Sequence, residues 1–85
     1  MGRVRTTFNG NGEARLRFGN CGDIGRVAVS LDGREISFAS PRQTRSISFE
    51  FNEGSSLTLW EEGQNSIIQI DDLEVISCKS TFLVE

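Results

Sequence analysis

Eighty-five residues make one domain, residues 1–85, with a modest core, because a chain this short buries only about 60 to 65% of its unfolded surface. There is no histidine, and the two cysteines form no CxxC pair, so zinc and haem chemistry have almost nothing to build on. A net charge of −3 argues against nucleic acid as a partner, and no stretch has the length of a membrane-spanning segment or the pattern of a signal peptide.

The charge is unevenly placed. Residues 1–45 hold eight arginines against four acids, whereas residues 46–85 hold one lysine against eight acids. In a folded domain the two halves touch. The poles then either pair within the sheets, at little gain per pair, or are used by a partner.

Taken in chain order, the elements have a period of two. Val4, Thr6 and Phe8, then Ala14, Leu16 and Phe18, flank "NGNG" and predict a hairpin with Phe8 opposite Ala14 and Thr6 opposite Leu16. Val27, Val29 and Leu31, then Ile36 and Phe38, flank Asp32-Gly33, the strongest two-residue hairpin signal in the chain, and predict Val29 opposite Ile36. After "ASPRQT", Ile47, Phe49 and Phe51, then Leu57 and Leu59, flank "NEGSS" and predict Phe49 opposite Leu59. Gly63-Gln64 turns the chain again and sets Leu59 against Ile68 and Leu57 against Ile70. With no helical period and turns every eight to twelve residues, the expected fold is all-β: seven or eight short antiparallel strands in a sandwich or a partly closed barrel.

The last strand, "SIIQIDDLEVISC", breaks its own alternation. Ile68 and Ile70 keep the even phase and Leu73 and Val75 the odd one, so the inward face changes parity between Asp71 and Asp72. A bulge or a sheet-switching corner accomplishes that. Asp71 and Asp72, with Glu61, Glu62 and Glu74, are also oxygen donors for a hard cation such as Ca2+, although no EF-hand loop is present and acids at turns are commonly solvated. Cys21 and Cys78 are read as a disulfide closing a loop of about 57 residues, which chain entropy values at about 4 kcal/mol; the alternative is two free thiols in a cytosolic chain.

The closing segment "IIQIDDLEVISC", preceded by "LTLWEEGQN", resembles the last two strands of galactose-binding-like jelly-roll modules, a group of β-sandwiches that includes many carbohydrate-binding modules. "GRVAVSLDGREI" is similar to a hairpin lying across those sandwiches. The two segments cover about half of the chain, which is shorter than that group usually is and has no tyrosine. The resemblance implies a jelly-roll-like sandwich, a structural cation at Asp71 or Asp72, and ligand binding at end loops or on a sheet face.

Two sets of residues are candidates for binding. Trp60 lies between inward-pointing positions and is therefore expected on the outer face, set between Ser48 and Ile67, with Ser48, Thr58 and Gln69 as polar neighbours. A flat aromatic ring there suits the apolar face of a sugar. The alternative is that the C-terminal "TFLVE" returns as a strand, with Phe82 and Leu83 covering the ring. Arg3, Arg5, Arg15 and Arg17 share the outer face of the first predicted hairpin, Arg5 opposite Arg17, where either an anionic glycan or protein surface, or acids of the second half, would answer them.

Catalysis finds few residues to work with. There is no histidine or tyrosine, and the serines have no recognisable activating base. The expectation is a non-catalytic module of a secreted or surface-displayed protein that recognises a glycan or glycoprotein. The alternative is a structural or self-associating homo-oligomeric module of a larger extracellular protein, and a third reading is a Ca2+-stabilised domain.

Overall fold

Period-two alternation becomes seven antiparallel strands in two facing sheets. A computed structural model describes residues 2–79 of the chain, the last three by backbone alone. The strands are β1 (Arg3–Thr7), β2 (Asn11–Asn20), β3 (Arg26–Leu31), β4 (Arg34–Ala39), β5 (Thr44–Phe51), β6 (Ser56–Glu62) and β7 (Ile68–Lys79). One sheet has the order β1-β6-β3-β4 and the other β5-β2-β7. The all-β sandwich is therefore as the alternation predicts.

Of the four expected hairpins, the β3–β4 hairpin forms. Asp32 and Gly33 sit at φ 53° and 82°, the paired left-handed geometry that two-residue hairpins use and that Gly tolerates without strain. Its register differs from expectation by one residue on β4. Val29 pairs with Ser37 and Ser30 with Glu35, so Ile36 is the extra residue of a bulge and does not face Val29.

The other three turns reverse the chain between sheets. Phe8 does not face Ala14 and Thr6 does not face Leu16; Thr6 pairs with Leu57. Phe49 pairs with Ala14 and not Leu59, and Ile70 pairs with Phe18 and not Leu57. Nested pairing results, β1 with β6, β2 with β5 and β3 with β4, rolled so that β6 also meets β3, with β7 added beside β2. This is the wrapping of a jelly roll with one rung fewer. Turn residues specify a reversal but not which strand the chain meets next. At the first corner the Phe8 N–H donates to the Ser55 carbonyl (3.0 Å), and Gly54 N–H donates back to the Phe8 carbonyl (2.9 Å), so the β1–β2 corner is tied to the β5–β6 corner.

The core lies between the central strands. Leu16 and Phe18 of β2, Val27 and Val29 of β3, and Leu57 and Leu59 of β6 are fully enclosed, with Phe8 stacked on Phe51 at 4.2 Å between ring centroids. Edge strands bury less. Val4 on β1 and Ile70, Leu73 and Val75 on β7 stand on the inward phase yet are exposed, on strands that each have one sheet neighbour.

The break in the final strand is the bulge that the parity change predicts. Arg17 pairs with Asp72 and Phe18 with Ile70, leaving Asp71 as the extra residue. A second irregularity, between Glu13 and Ala14, leaves Ile76 as another.

The expected disulfide is not present. Cys78 pairs with Gly12 near the start of β2, whereas Cys21 follows the end of that strand. Nine residues of extended chain span about 30 Å, far beyond the roughly 7 Å between Cα atoms that a disulfide permits. Cys21 is a free, exposed thiol whose Sγ donates to Gln69 Oε1 at 2.8 Å. Adding reductant is accordingly expected to leave the thermal midpoint unchanged. A drop of ~15 °C or more, the size expected if about 4 kcal/mol of crosslink were lost, would show that the bond exists.

Candidate functional site

Residues directly opposite one another in antiparallel strands point to the same face, and this builds the site row by row. Arg3, Trp60, Ala28 and Phe38 form one row across β1, β6, β3 and β4. Arg5, Thr58, Ser30 and Glu35 form the next. Leu57 and Leu59 point into the core, so this row set is the outer face of the four-stranded sheet. Ala28 and Ser30 are buried even though they lie on that face, because they are small side chains on a central strand, Ala28 between Trp60 and Phe38 and Ser30 between Thr58 and Glu35. Ser30 lines a depression.

The depression is a groove of about 530 Å³ lined by Arg3, Arg5, Ser30, Asp32, Gly33, Ser56, Thr58 and Trp60. Its lining includes the half-buried Trp60, the two β1 arginines on one side, and three hydroxyl-bearing side chains, Ser56 and Thr58 of β6 and Ser30 of β3. A smaller cavity of about 350 Å³ near Leu31, Arg34 and Glu50 lies apart from Trp60.

The indole ring is held in place. Trp60 Nε1 donates to Glu62 Oε1 at 2.9 Å, and Arg26 Nε donates to Glu62 Oε2 at 2.6 Å. Arg26 also pairs with Glu35 at 2.7 Å and lies 4.7 Å above the Phe38 ring. The chain of contacts from Trp60 through Glu62 and Arg26 to Glu35 fixes the ring from its edge and leaves it lining the groove.

These hydrogen bonds set the charge states. The Arg26 guanidinium, and then the indole N–H, hold the Glu62 carboxyl below the usual glutamate range. The Arg26 guanidinium is held correspondingly more firmly charged, first by Glu62 and then by Glu35. Because the folded-state value of Glu62 lies below its unfolded value of about 4.3, its contribution is present above that pH and is lost as pH falls through the lower folded value. The fluorescence of the single tryptophan is therefore expected to show a reversible step on the acid side of the ordinary glutamate range that Glu62→Gln removes. An emission that stays constant until the chain unfolds would show that Glu62 does not hold the ring.

Several expected neighbours lie elsewhere. Trp60 sits between Arg3 and Ala28 and not between Ser48 and Ile67. Ser48 is on β5 opposite Arg15, in the other sheet. Gln69 is on β7, where its Nε2 donates to Asp71 at 2.7 Å, and Ile67 is in the β6–β7 connection with its N–H on Asn20 Oδ1 at 3.0 Å. Thr58 alone of the expected polar neighbours shares the tryptophan's face. Phe82 and Leu83 lie outside the described residues.

The arginine patch divides. Arg15 and Arg17 lie on the outer face of the three-stranded sheet, where Arg15 pairs with Glu74 at 3.2 Å and Arg17 with Asp71 at 3.4 Å. Acids of the second half answer them, and Arg17 faces Ser46 and Asp72 and not Arg5. Arg3 and Arg5 join Trp60 in the groove. Arg5 Nε donates to Ser56 Oγ at 2.8 Å, and neither arginine pairs with a carboxylate among the described residues.

The acids proposed for Ca2+ do not converge. Glu61, on β6, accepts from the Gly2 N–H at 2.7 Å and the Ile68 N–H at 3.2 Å, which hold its carboxyl below the ordinary range and tie together the starts of β1 and β7. Asp71 is taken up by Gln69 and Arg17, and Asp72 faces Arg17 on the other sheet. Among the described residues no three metal-ligating side chains come together.

Ser30, Ser56, Asp32 and Arg26 are not among the binding candidates that the sequence offers, and Glu62 is among them only as a cation ligand. Ser56, Thr58, Trp60 and Glu62 do share one phase of β6, so that strand's own spacing carried part of the signal. Comparison of the chain with protein-family models, with curated proteins and with solved structures finds no match.

Proposed function

We propose that this domain is a non-catalytic carbohydrate-recognition module whose ligand lies in the groove of the four-stranded sheet. The observation that carries this reading is the position of Trp60: outside the core, lining the groove and held at its edge by Glu62. A pyranose has one largely apolar face, which suits the indole, and a rim of hydroxyls, which suits Ser30, Ser56 and Thr58. An enclosed polar network in the same place would serve neither purpose. Trp60→Ala is expected to weaken binding of whichever oligosaccharide a glycan array selects by about tenfold or more, equivalent to about 1.4 kcal/mol, with the far-ultraviolet circular dichroism spectrum unchanged. Undiminished binding by that variant would place the ligand elsewhere.

With Cys21 a free thiol far from Cys78, no crosslink supports an extracellular setting, which rests on the ligand class alone. A second reading, self-association, draws support from β7, an edge strand that exposes Ile70, Leu73 and Val75. It requires a sedimentation coefficient that rises with protein concentration and stops rising on Leu73→Lys. A concentration-independent monomer removes it.

A further inference from the structure

We infer that the sugar recognised in this groove is acidic, with its carboxylate or sulfate held by Arg3 and Arg5. This rests on the carbohydrate reading above and narrows it. Arg15, Arg17, Arg26 and Arg42 each hold a carboxylate of this chain. Arg3, Arg5, Arg34 and Arg45 hold none among the described residues, and of these Arg3 and Arg5 line the groove and stand two residues apart on one face of β1, about 7 Å from each other by strand geometry.

Two like charges on one face repel, and an anion between them relieves that repulsion. The guanidinium is planar and offers paired N–H donors that match a carboxylate or sulfate. Arg5 is already oriented through its Nε to Ser56 Oγ, which leaves its terminal nitrogens available to the groove.

The groove's one acid makes its hydrogen bonds elsewhere: Asp32 accepts from Ser56 N–H at 2.9 Å and from Ser55 Oγ at 3.0 Å. Glu62, at the edge of Trp60, pairs with Arg26, which also holds Glu35. The opening beside the indole therefore carries two adjacent arginines that hold no carboxylate among the described residues. It adjoins the ring and the hydroxyl-bearing side chains, so one sugar residue can lie on Trp60 while its acidic substituent reaches β1.

Matched oligosaccharides test this by calorimetry on the full chain: tetragalacturonate against its methyl ester, and 3′-sulfolactose against lactose. At least one acidic member is expected to bind about tenfold or more tightly than its neutral counterpart, and Arg3→Gln with Arg5→Gln should abolish that margin. The first pair reports a carboxylate ligand and the second a sulfate. Arg34→Gln with Arg45→Gln, which removes as much charge from other surfaces, should leave the margin in place; equal loss would mean unspecific polyanion attraction and would overturn the assignment.

Neutral members binding as well as acidic ones, still dependent on Trp60, would overturn the acidic class and leave the carbohydrate reading standing. No binding across the panel and a wider glycan array would overturn both. Tighter binding of oligothymidylate than of any acidic sugar would assign the groove to nucleic acid instead.

Discussion

Phe18→Ala is expected to remove about 3–5 kcal/mol of unfolding free energy, a large share of what a domain of this size has. Phe18 is the largest fully enclosed side chain, with no measurable exposure, and it sits on the central strand of the three-stranded sheet. Its strand neighbours are Arg45 and Ile70, so nothing apolar from β5 is positioned to fill the space. Replacing the ring removes both its transfer free energy and the packing of Leu16, Val27 and Leu59 around it. Urea unfolding followed by circular dichroism measures the loss. A change below about 1 kcal/mol would mean that the two sheets close over the gap.

Asn20→Ala is expected to cost about 3 kcal/mol, although the residue is polar and ends a strand. Only 1% of Asn20 is exposed. Its Oδ1 accepts from Gly22 N–H at 2.8 Å and from Ile67 N–H at 3.0 Å, bringing together the β2–β3 and β6–β7 connections. Its backbone joins a third, donating to the Gln43 carbonyl at 3.0 Å and accepting from Arg42 N–H at 2.8 Å.

Alanine leaves two N–H groups at this junction without an acceptor, at about 1–3 kcal/mol each. The buried Asn20 Nδ2 has no partner among the described residues, and its removal recovers part of that cost. The same junction explains Gly22, where a Cβ would lie 1.6 Å from the Asn65 carbonyl oxygen, so any side chain there pushes the two connections apart. Hydrogen exchange at Gly22 and Ile67 distinguishes a local cost from a global one: both amides should lose protection in Asn20→Ala before the β2 core does. Unchanged protection would show that water takes the acceptor's place.

How far the sequence carried the fold is clearest at single residues. Asp32-Gly33 specified a tight reversal because its two left-handed positions are rare in other residues, and the hairpin formed there. The parity change at Asp71-Asp72 specified a bulge, because both flanks of β7 had to keep their apolar side chains on one face. Trp60 was placed on the outer face by Leu57 and Leu59 alone, and it lies there. The β4 register slipped at Ile36 because one added residue in a bulge leaves no mark in composition.

The candidate site was legible only in parts. Trp60 and Thr58 were read from their own strand, and Arg3 and Arg5 from theirs, but the chain separates the two pairs by more than fifty residues. Assigning β1 to β2 sends the arginines to the wrong sheet and joins them to Arg15 and Arg17, while assigning β6 to β5 and β7 gives Trp60 the neighbours Ser48 and Gln69. Placing β6 between β1 and β3 corrects both.

Strand number, the turn at Asp32-Gly33, the bulge at Asp71 and the outward direction of Trp60 follow from the sequence by itself, since alternation and turn preference are properties of residues near one another in the chain. Which strands lie side by side was decided by the tertiary structure. Backbone N–H and C=O groups are the same in every strand, so a sheet edge accepts any partner with a compatible apolar face, and packing of the whole core selects among them. That selection brought Arg3 and Arg5 to Trp60, carried Cys21 away from Cys78, and divided one predicted arginine patch between two sheets.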